Sequence, residues 1–343
     1  MSVWIYVVIL ATLIILHELG HFWAARRNDI EVEEFGLGLP PKLISLGRWQ
    51  GTEFTLNLLP IGGFARMKGE DADAGPGSFW SAPARARAMV LLAGPMMNIL
   101  TAILALVIAY SVVIPGNGIW ILEVDPSYPA AAVGVRPGDV IEQIDNHPVR
   151  TREELIRFIR QHQDSPTTLV LRRGRDRLTV QVRPRVDPDG VPRIGVLLAA
   201  RLPLWKSPWY ALKELGYFAW GVLHLPAALI RGHISASEAR PLGPVGIGRV
   251  FVDVVRQQPT PLVRLFTILR LTAIISFALG LTNLLPIPAL DGGRLLFVLL
   301  EILRKGKRVS PERESLVHLI GMALLLMLMV IITYYDLRYP PHV

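Results

Sequence analysis

The chain contains no cysteine. Disulfides and thiolate metal ligands are therefore excluded, and any transition-metal site must be built from His, Asp and Glu. Charge is also scarce: 19% of residues are Asp, Glu, Lys or Arg, against 51% hydrophobic, with a mean hydropathy of +0.40. A soluble domain carries about 25% charged residues, so the composition points to a membrane protein. The formal charge of +8 would fit a nucleic-acid binder if the basic residues formed one patch. They gather instead at the ends of apolar runs, so the expected surroundings are a lipid bilayer and no nucleic-acid partner is expected. The first apolar run is not expected to be a signal peptide. No basic residue precedes it, and no small-residue cleavage site precedes its polar cluster.

Four apolar runs reach membrane-spanning length, at about 3–25, 88–114, 265–285 and onward, and 316–335. Lys and Arg crowd the loop after the first run, from Arg26 to Arg87, and the loop between the third and fourth, from Arg304 to Arg313. The positive-inside rule puts both loops in the cytoplasm, and both termini and the long segment between runs two and three outside.

The first run contains His17-Glu18-Leu19-Gly20-His21. On a helix, residues four apart share a face, so two imidazoles can reach one zinc ion. Glu18 is placed to act as general base toward a water that the metal polarises. An ionisable group at the centre of a membrane helix costs about 2.5–3.5 kcal/mol on insertion scales. Chance occurrences of this motif mostly fall on solvated faces, whereas here the preceding residues are almost unbroken hydrocarbon. A metal gives the polar cluster a reason to be there.

A third ligand is needed, and the third run offers one. Asn283-Leu284-Leu285-Pro286-Ile287-Pro288-Ala289-Leu290-Asp291-Gly292-Gly293 places two prolines and a glycine pair inside an apolar stretch. Two backbone donors are missing and left-handed dihedrals are allowed, so this stretch is expected to be unwound. Irregular backbone at membrane depth persists only beside protein or a wet cavity. An intramembrane Asp needs a partner, and the metal held by His17 and His21 is the one assigned to Asp291. Two His and one carboxylate suit zinc, and also iron or cobalt.

With both motifs in place, the chain resembles the site-2 proteases, intramembrane zinc metalloproteases, and most closely their bacterial PDZ-bearing branch. That family pairs H-E-x-x-H with N-x-x-P-x-P-x-L-D-G-G in a later helix, and both stand here in full. Leu59-Pro60-Ile61-Gly62-Gly63-Phe64 with Gly69-Glu70, Ala93-Gly94-Pro95-Met96-Met97-Asn98, and Gly243-Pro244-Val245-Gly246-Ile247 also look like family signatures. The resemblance implies His17, His21 and Asp291 as ligands of Zn2+, with Glu18 as base and acid. It implies that Asn283 holds the substrate backbone or stabilises the oxyanion; capping the broken helix is the other reading of that residue. Substrates by resemblance are single-span membrane proteins already shortened by another protease, such as anti-sigma factors, or remnant signal peptides.

The expected fold is a polytopic α-helical membrane protein of about four transmembrane helices, the third broken. To these are added a membrane-associated β-hairpin and an inserted extracytoplasmic PDZ domain of α+β class. Expected divisions are 1–115 (first helix, cytoplasmic hairpin, second helix), 116–201 (PDZ domain, from about Asn117 to Ala200), 202–262 (interfacial and linker) and 263–343 (the C-terminal membrane part). Glu53–Leu59 alternates in the β sense, and by resemblance its hairpin dips beside the site, where a strand edge can pair with an extended substrate. In the PDZ segment, Thr151 ahead of Glu154 reads as a capping box, and Gly174-Arg175 as a hairpin turn. The PDZ domain is expected to bind a chain end or to filter substrates by size. Trp205, Trp209, Tyr210, Tyr217, Phe218 and Trp220, interleaved with Lys206, Lys213 and Glu214, read as an interfacial helix. His224 and His233 are expected not to be ligands, and Asn98 is read as a helix-packing hydrogen bonder. Two rival classes remain open: a catalytically silent PDZ scaffold, and a transporter suggested by the broken span.

Overall fold

Among the described residues, apolar residues that leave no polar face fold into four helices long and apolar enough to cross a membrane: Val3–Arg27, Ala84–Val113, Pro261–Asn283 and Pro311–Arg338. The computed structural model describes residues 2–70, 74–114, 118–162, 165–188, 190–232, 240–258 and 260–340. In chain order the elements are α1 (Ser2–Arg27), β1 (Val32–Trp49), β2 (Thr52–Met67) and α2 (Ala84–Ile108), which runs on into a π-helical turn at Ala109–Val113. There follow β3 (Ile119–Val124), α3 (Pro129–Ala132), β4 (Val140–Ile144), β5 (His147–Pro148), α4 (Arg152–Gln161), β6 (Thr167–Arg173) and β7 (Asp176–Val182). Then come β8 (Arg185–Val186), β9 (Pro192–Arg193), β10 (Val196–Ala199), α5 (Ser207–Ile230), α6 (Pro244–Gln257), α7 (Pro261–Asn283), α8 (Asp291–Leu303) and α9 (Pro311–Arg338).

The chain divides into two units, one of residues 1–102, 218–252 and 272–343, the other of 103–217 and 253–271. In the first, the hairpin packs on α1 through an aromatic cluster: Phe22 meets Phe35 at 5.8 Å and Phe54 at 6.0 Å between ring centroids. Ala65, Met67, Phe79, Val90 and Leu91 complete this core, and each large apolar side chain buried there contributes about 1.5–3 kcal/mol. The hairpin strands are bulged and fold back on themselves. Residues 53–56 of β2 pair with 34–37 of β1 on one side and with 44–48 on the other. Residues 63–67 pair with the 32–37 stretch alone. The stretch 53–56 is thus interior to the sheet, and the 63–67 stretch borders it on the outside. Strand alternation was legible there; the bulges that decide which stretch lies outermost were not.

The third span breaks where expected, with α7 ending at Asn283 and α8 beginning at Asp291. Helix α9 turns many large apolar side chains outward, Leu319 and Val330 each being 65% exposed, as befits a helix whose solvent is lipid. Near its end the buried Asp336 carboxylate accepts from the backbone N–H groups of Gly243 (3.0 Å) and Gly246 (2.8 Å) and from Arg240 (3.2 Å). This caps α6 and gives the Gly243–Ile247 signature a structural use. Helix α5 is a single helix that exposes Trp209 and Trp220, and it is not among the four of membrane-spanning character.

The second unit holds a β-rich domain. An antiparallel sheet runs in the order β10-β3-β4-β6-β7, with β5 on β4. The β6–β7 hairpin turns at Gly174-Arg175, where Gly174 takes φ 62°. Ile119, Ile121, Ile141, Ile144, Leu155, Ile159, Leu169 and Leu171 form the core. Helix α4 starts with the expected capping box: Thr151 Oγ1 accepts from Glu154 N–H, and the Glu154 carboxylate from Thr151 N–H, both at 3.2 Å. The backbone N–H groups of Arg150 and Thr151 hold the Glu154 carboxyl below the usual range. Thr151→Ala is expected to destabilise this helix by about 1 kcal/mol. The measurement is hydrogen exchange of residues 152–161 in the full chain, and unchanged protection would remove the cap from the account.

Candidate metal centre

Helix α1 fixes His17 and His21 one turn apart on the face that looks toward α2 and the broken segment. Their Nε2 atoms lie 3.1 Å apart. Asp291, the first residue of α8, brings Oδ2 to 3.2 Å from His17 Nε2 and 3.4 Å from His21 Nε2. Ligands about 2.0–2.1 Å from a tetrahedral zinc stand about 3.3–3.4 Å from each other. The three atoms therefore occupy three corners of a zinc-sized tetrahedron, and the donor set leaves the fourth corner for a water or a substrate. Among the described residues this is the one cluster of three or more such side chains placed to hold a metal. Both histidines are buried and Asp291 nearly so.

The backs of the two rings face α2. His21 Nδ1 lies 2.9 Å from the Val90 carbonyl, to which it donates, leaving Nε2 as the lone-pair atom. His17 Nδ1 lies 3.2 Å from Asn98 Nδ2, so Asn98 contacts a predicted ligand rather than merely packing helices. Gly94 sits between them, and a Cβ there would enter the His21 ring. Val90, Gly94 and Asn98 recur every four residues and form one stripe of α2, which explains the Ala93–Asn98 signature physically.

The segment between α7 and α8 carries Asp291 without regular hydrogen bonding. Ala289 takes φ 76°, an arrangement that costs about 1–3 kcal/mol outside glycine. Its N–H donates to His318 Nδ1 on α9 at 2.9 Å. Gly292 and Gly293 press on the carbonyls of Leu284, Leu285 and Ile287, where any side chain would collide. Pro288 in turn packs on Gly321 of α9. His318 gave no signal in the sequence, since a single histidine in an apolar helix has no periodic partner.

A cavity of about 600 Å³ opens on this cluster, lined by Glu18, Asn283, Arg294, the 63–67 stretch and Glu70 among others. Asn283 lines it from the end of α7. Arg294, also unread in the sequence, forms an ion pair there with Glu70. Glu18 is half-buried and has the Ala65 backbone as a hydrogen-bond partner. The outer edge at 63–67 lines the cavity, its Ala65 backbone bonded to Glu18 and its Met67 N–H to the Glu70 carboxylate at 3.4 Å, and Gly63 allows the approach: a Cβ there would lie 3.4 Å from Glu18 Cγ and 3.2 Å from the Gly36 carbonyl. Gly63→Val is therefore expected to push the strand off Glu18 and cut proteolysis at least tenfold with metal content unchanged. Assay and metal analysis of one preparation check it; full activity would show that the strand need not stay close. His224 is not among the clustered side chains, its ring lying against Trp220 at 3.8 Å, and His233 lies outside the described residues.

In the second unit, a cavity of about 640 Å³ lies between edge strand β10 and helix α4, lined by Ile156, Ile159, Val196 and Leu198 with Arg152 and Arg160.

A model of peptidase family M50 matches residues 5–328. The zinc metalloprotease RasP of Bacillus licheniformis is 27% identical over 97% of this chain and 98% of its own length. The regulator of sigma-W protease RasP of Bacillus subtilis is 26% identical over 97% of each. Those alignments run over 419 and 423 positions against 343 residues here, so both relatives carry inserted segments. A protein of Clostridium acetobutylicum is 30% identical over 96% of this chain and 95% of its own. Among solved structures, the PDZ domain of an SdrC-like protein from Listeria monocytogenes is similar, at 24% identity and TM-score 0.23, over 25% of this chain and 90% of that one.

Proposed function

The chain belongs to peptidase family M50 and is a zinc metalloendopeptidase of the site-2 type; from that premise we propose that His17, His21 and Asp291 hold the metal and that Glu18 moves the proton. The observation that carries this is the triangle of ligand atoms with 3.1–3.4 Å edges, two of its corners standing on a helix of membrane-spanning character. Zinc, when bound, polarises water and the scissile carbonyl. Glu18 takes a proton from the attacking water and gives it to the leaving amine. Asn283 is assigned to the substrate carbonyl, since it faces the same cavity. A transmembrane helix hides its peptide bonds in its own hydrogen bonds, so the substrate must unwind before hydrolysis. The outer edge at Gly63–Met67 receives the unwound stretch as an added strand, exchanging its bonds to the Glu18 and Glu70 carboxylates for bonds to the substrate backbone.

The substrate class is single-span membrane proteins, cut within or near the span; anti-sigma-factor-like proteins and remnant signal peptides are the expected members. The distribution of Lys and Arg favours both termini and the PDZ-like domain outside a bacterial inner membrane, with the metal toward the cytoplasmic face. The proposed divisions are 1–115, 116–201, 202–262 and 263–343, with the β10–α4 cavity as the PDZ ligand groove. The test is proteolysis of single-span model proteins in liposomes, with cut sites mapped by mass spectrometry. Cuts inside the span that stop with a chelator and return with zinc are expected. Zinc-dependent cuts confined to soluble loops would overturn the substrate class, and zinc binding with no cleavage of any span tested would favour the scaffold reading.

A further inference from the structure

We propose that Asn98 is a positioning residue for His17: its side-chain carbonyl accepts the Nδ1 proton and so fixes the tautomer that leaves Nε2 free for the metal. The proposal rests on the metal reading of His17, His21 and Asp291.

A neutral imidazole has one N–H and one lone pair. His17 Nε2 is the atom turned toward Asp291 Oδ2 and His21 Nε2, so a metal there takes the Nε2 lone pair and the proton must sit on Nδ1. That proton needs an acceptor, because a metal-bound histidine is held by the bond its other nitrogen donates. For His21 the acceptor is the Val90 carbonyl. For His17 the group in reach is the side-chain amide of Asn98, a residue 1% exposed whose Nδ2 stands 3.2 Å from Nδ1, so the acceptor role needs the amide turned end for end.

The two ends of an amide have nearly the same size, so packing alone does not choose which of them meets the ring. With Nδ2 toward the ring, two N–H groups oppose each other once Nδ1 is protonated. With Oδ1 toward it, Nδ1–H has its acceptor. Nothing holds Oδ1 in the opposite direction, where it is buried without a hydrogen-bond partner among the described residues. The backbone beneath is fixed: Ser276 Oγ on α7 donates to the Asn98 carbonyl at 2.7 Å. A Cβ on Gly280 would come within 3.3 Å of Asn98 Cβ. Helix α2 thus supplies an acceptor to each histidine, a main-chain carbonyl for one and a replaceable side chain for the other.

The test uses the full chain in detergent, with zinc affinity measured by chelator competition and cobalt-substituted protein examined by proton NMR. Wild type is expected to show two exchangeable imidazole N–H signals shifted by cobalt, from His17 and His21. Asn98→Leu, which removes the acceptor at similar volume, should lose or broaden one and lower zinc affinity about 10–100-fold. The surviving signal, bonded to Val90, reports that the site is still folded. Asn98→Asp restores an acceptor and should keep both signals and an affinity within about threefold of wild type or tighter. Wild-type affinity with both signals in Asn98→Leu would overturn the proposal. So would equal damage by Leu and Asp, the pattern of a purely structural residue. A wild type that binds neither zinc nor cobalt would instead sink the metal reading beneath it.

Discussion

Glu18→Gln abolishes peptide-bond hydrolysis while the protein keeps its zinc: that is the expected result with the largest effect. Gln has the length and shape of Glu, so the half-buried side chain still fits beside Gly63 and Ala65. It cannot accept and return a proton at neutral pH. General acid–base catalysis by one group is worth about 10²–10⁴-fold. A residue serving both attack and departure should fall at the upper end, so a loss of about 10³-fold or more is expected. The proposed ligand atoms belong to His17, His21 and Asp291, none of which the change touches. Cleavage of a single-span substrate and zinc by mass spectrometry on the same sample decide the matter. A variant that retains a tenth of the activity would assign the base elsewhere, and one that loses zinc would show that Glu18 supports the site rather than the reaction.

The second large effect lies on a residue without chemistry. Gly94→Val drives a branched side chain into the space held by the His21 imidazole. The ring has no free direction of retreat, since Nδ1 is bonded to the Val90 carbonyl and Nε2 is turned toward Asp291. The helices must separate or the ring must rotate, and either removes a corner of the ligand triangle. Zinc affinity is expected to fall by more than the 10–100-fold typical of losing an outer hydrogen bond, and activity with it. Gly221→Ala on α5 is the matched control, because a Cβ there meets nothing and a helical Gly→Ala exchange gains about 0.5–1 kcal/mol. Equal zinc binding in both variants would show that α2 can yield at Gly94.

What the sequence made legible here follows from periodicity and cost. Unbroken hydrocarbon announces a membrane helix, and polar groups inside it stand out because they are expensive to bury. Hence His17, His21, Glu18 and Asp291 were readable as one cluster from two distant motifs. The break after Asn283 was readable because proline removes donors, and the α4 cap because its two partners lie three residues apart. Asn98 was read too modestly. One amide in an apolar run gives no direction, although the four-residue steps from Val90 to Gly94 to Asn98 mark a single face. Which stretch of the hairpin lies outermost was not legible, because alternation identifies a strand and not its neighbours. Arg294 and His318 were missed because their partners, Glu70 and Ala289, come from other segments that only the fold brings near.

Helix α9 holds none of the proposed ligands, yet it bears on how an intact enzyme should be recognised. The proposed third ligand opens α8, and the irregular stretch just before it leans on α9 through the Ala289–His318 hydrogen bond and the fit of Pro288 on Gly321. A gene cut short after Ser310 would encode every proposed ligand and the proposed base, and would pass any inspection limited to motifs. Its product would lack the support beneath Asp291. In this fold a motif count is no certificate of a working enzyme; the final helix belongs on the checklist too.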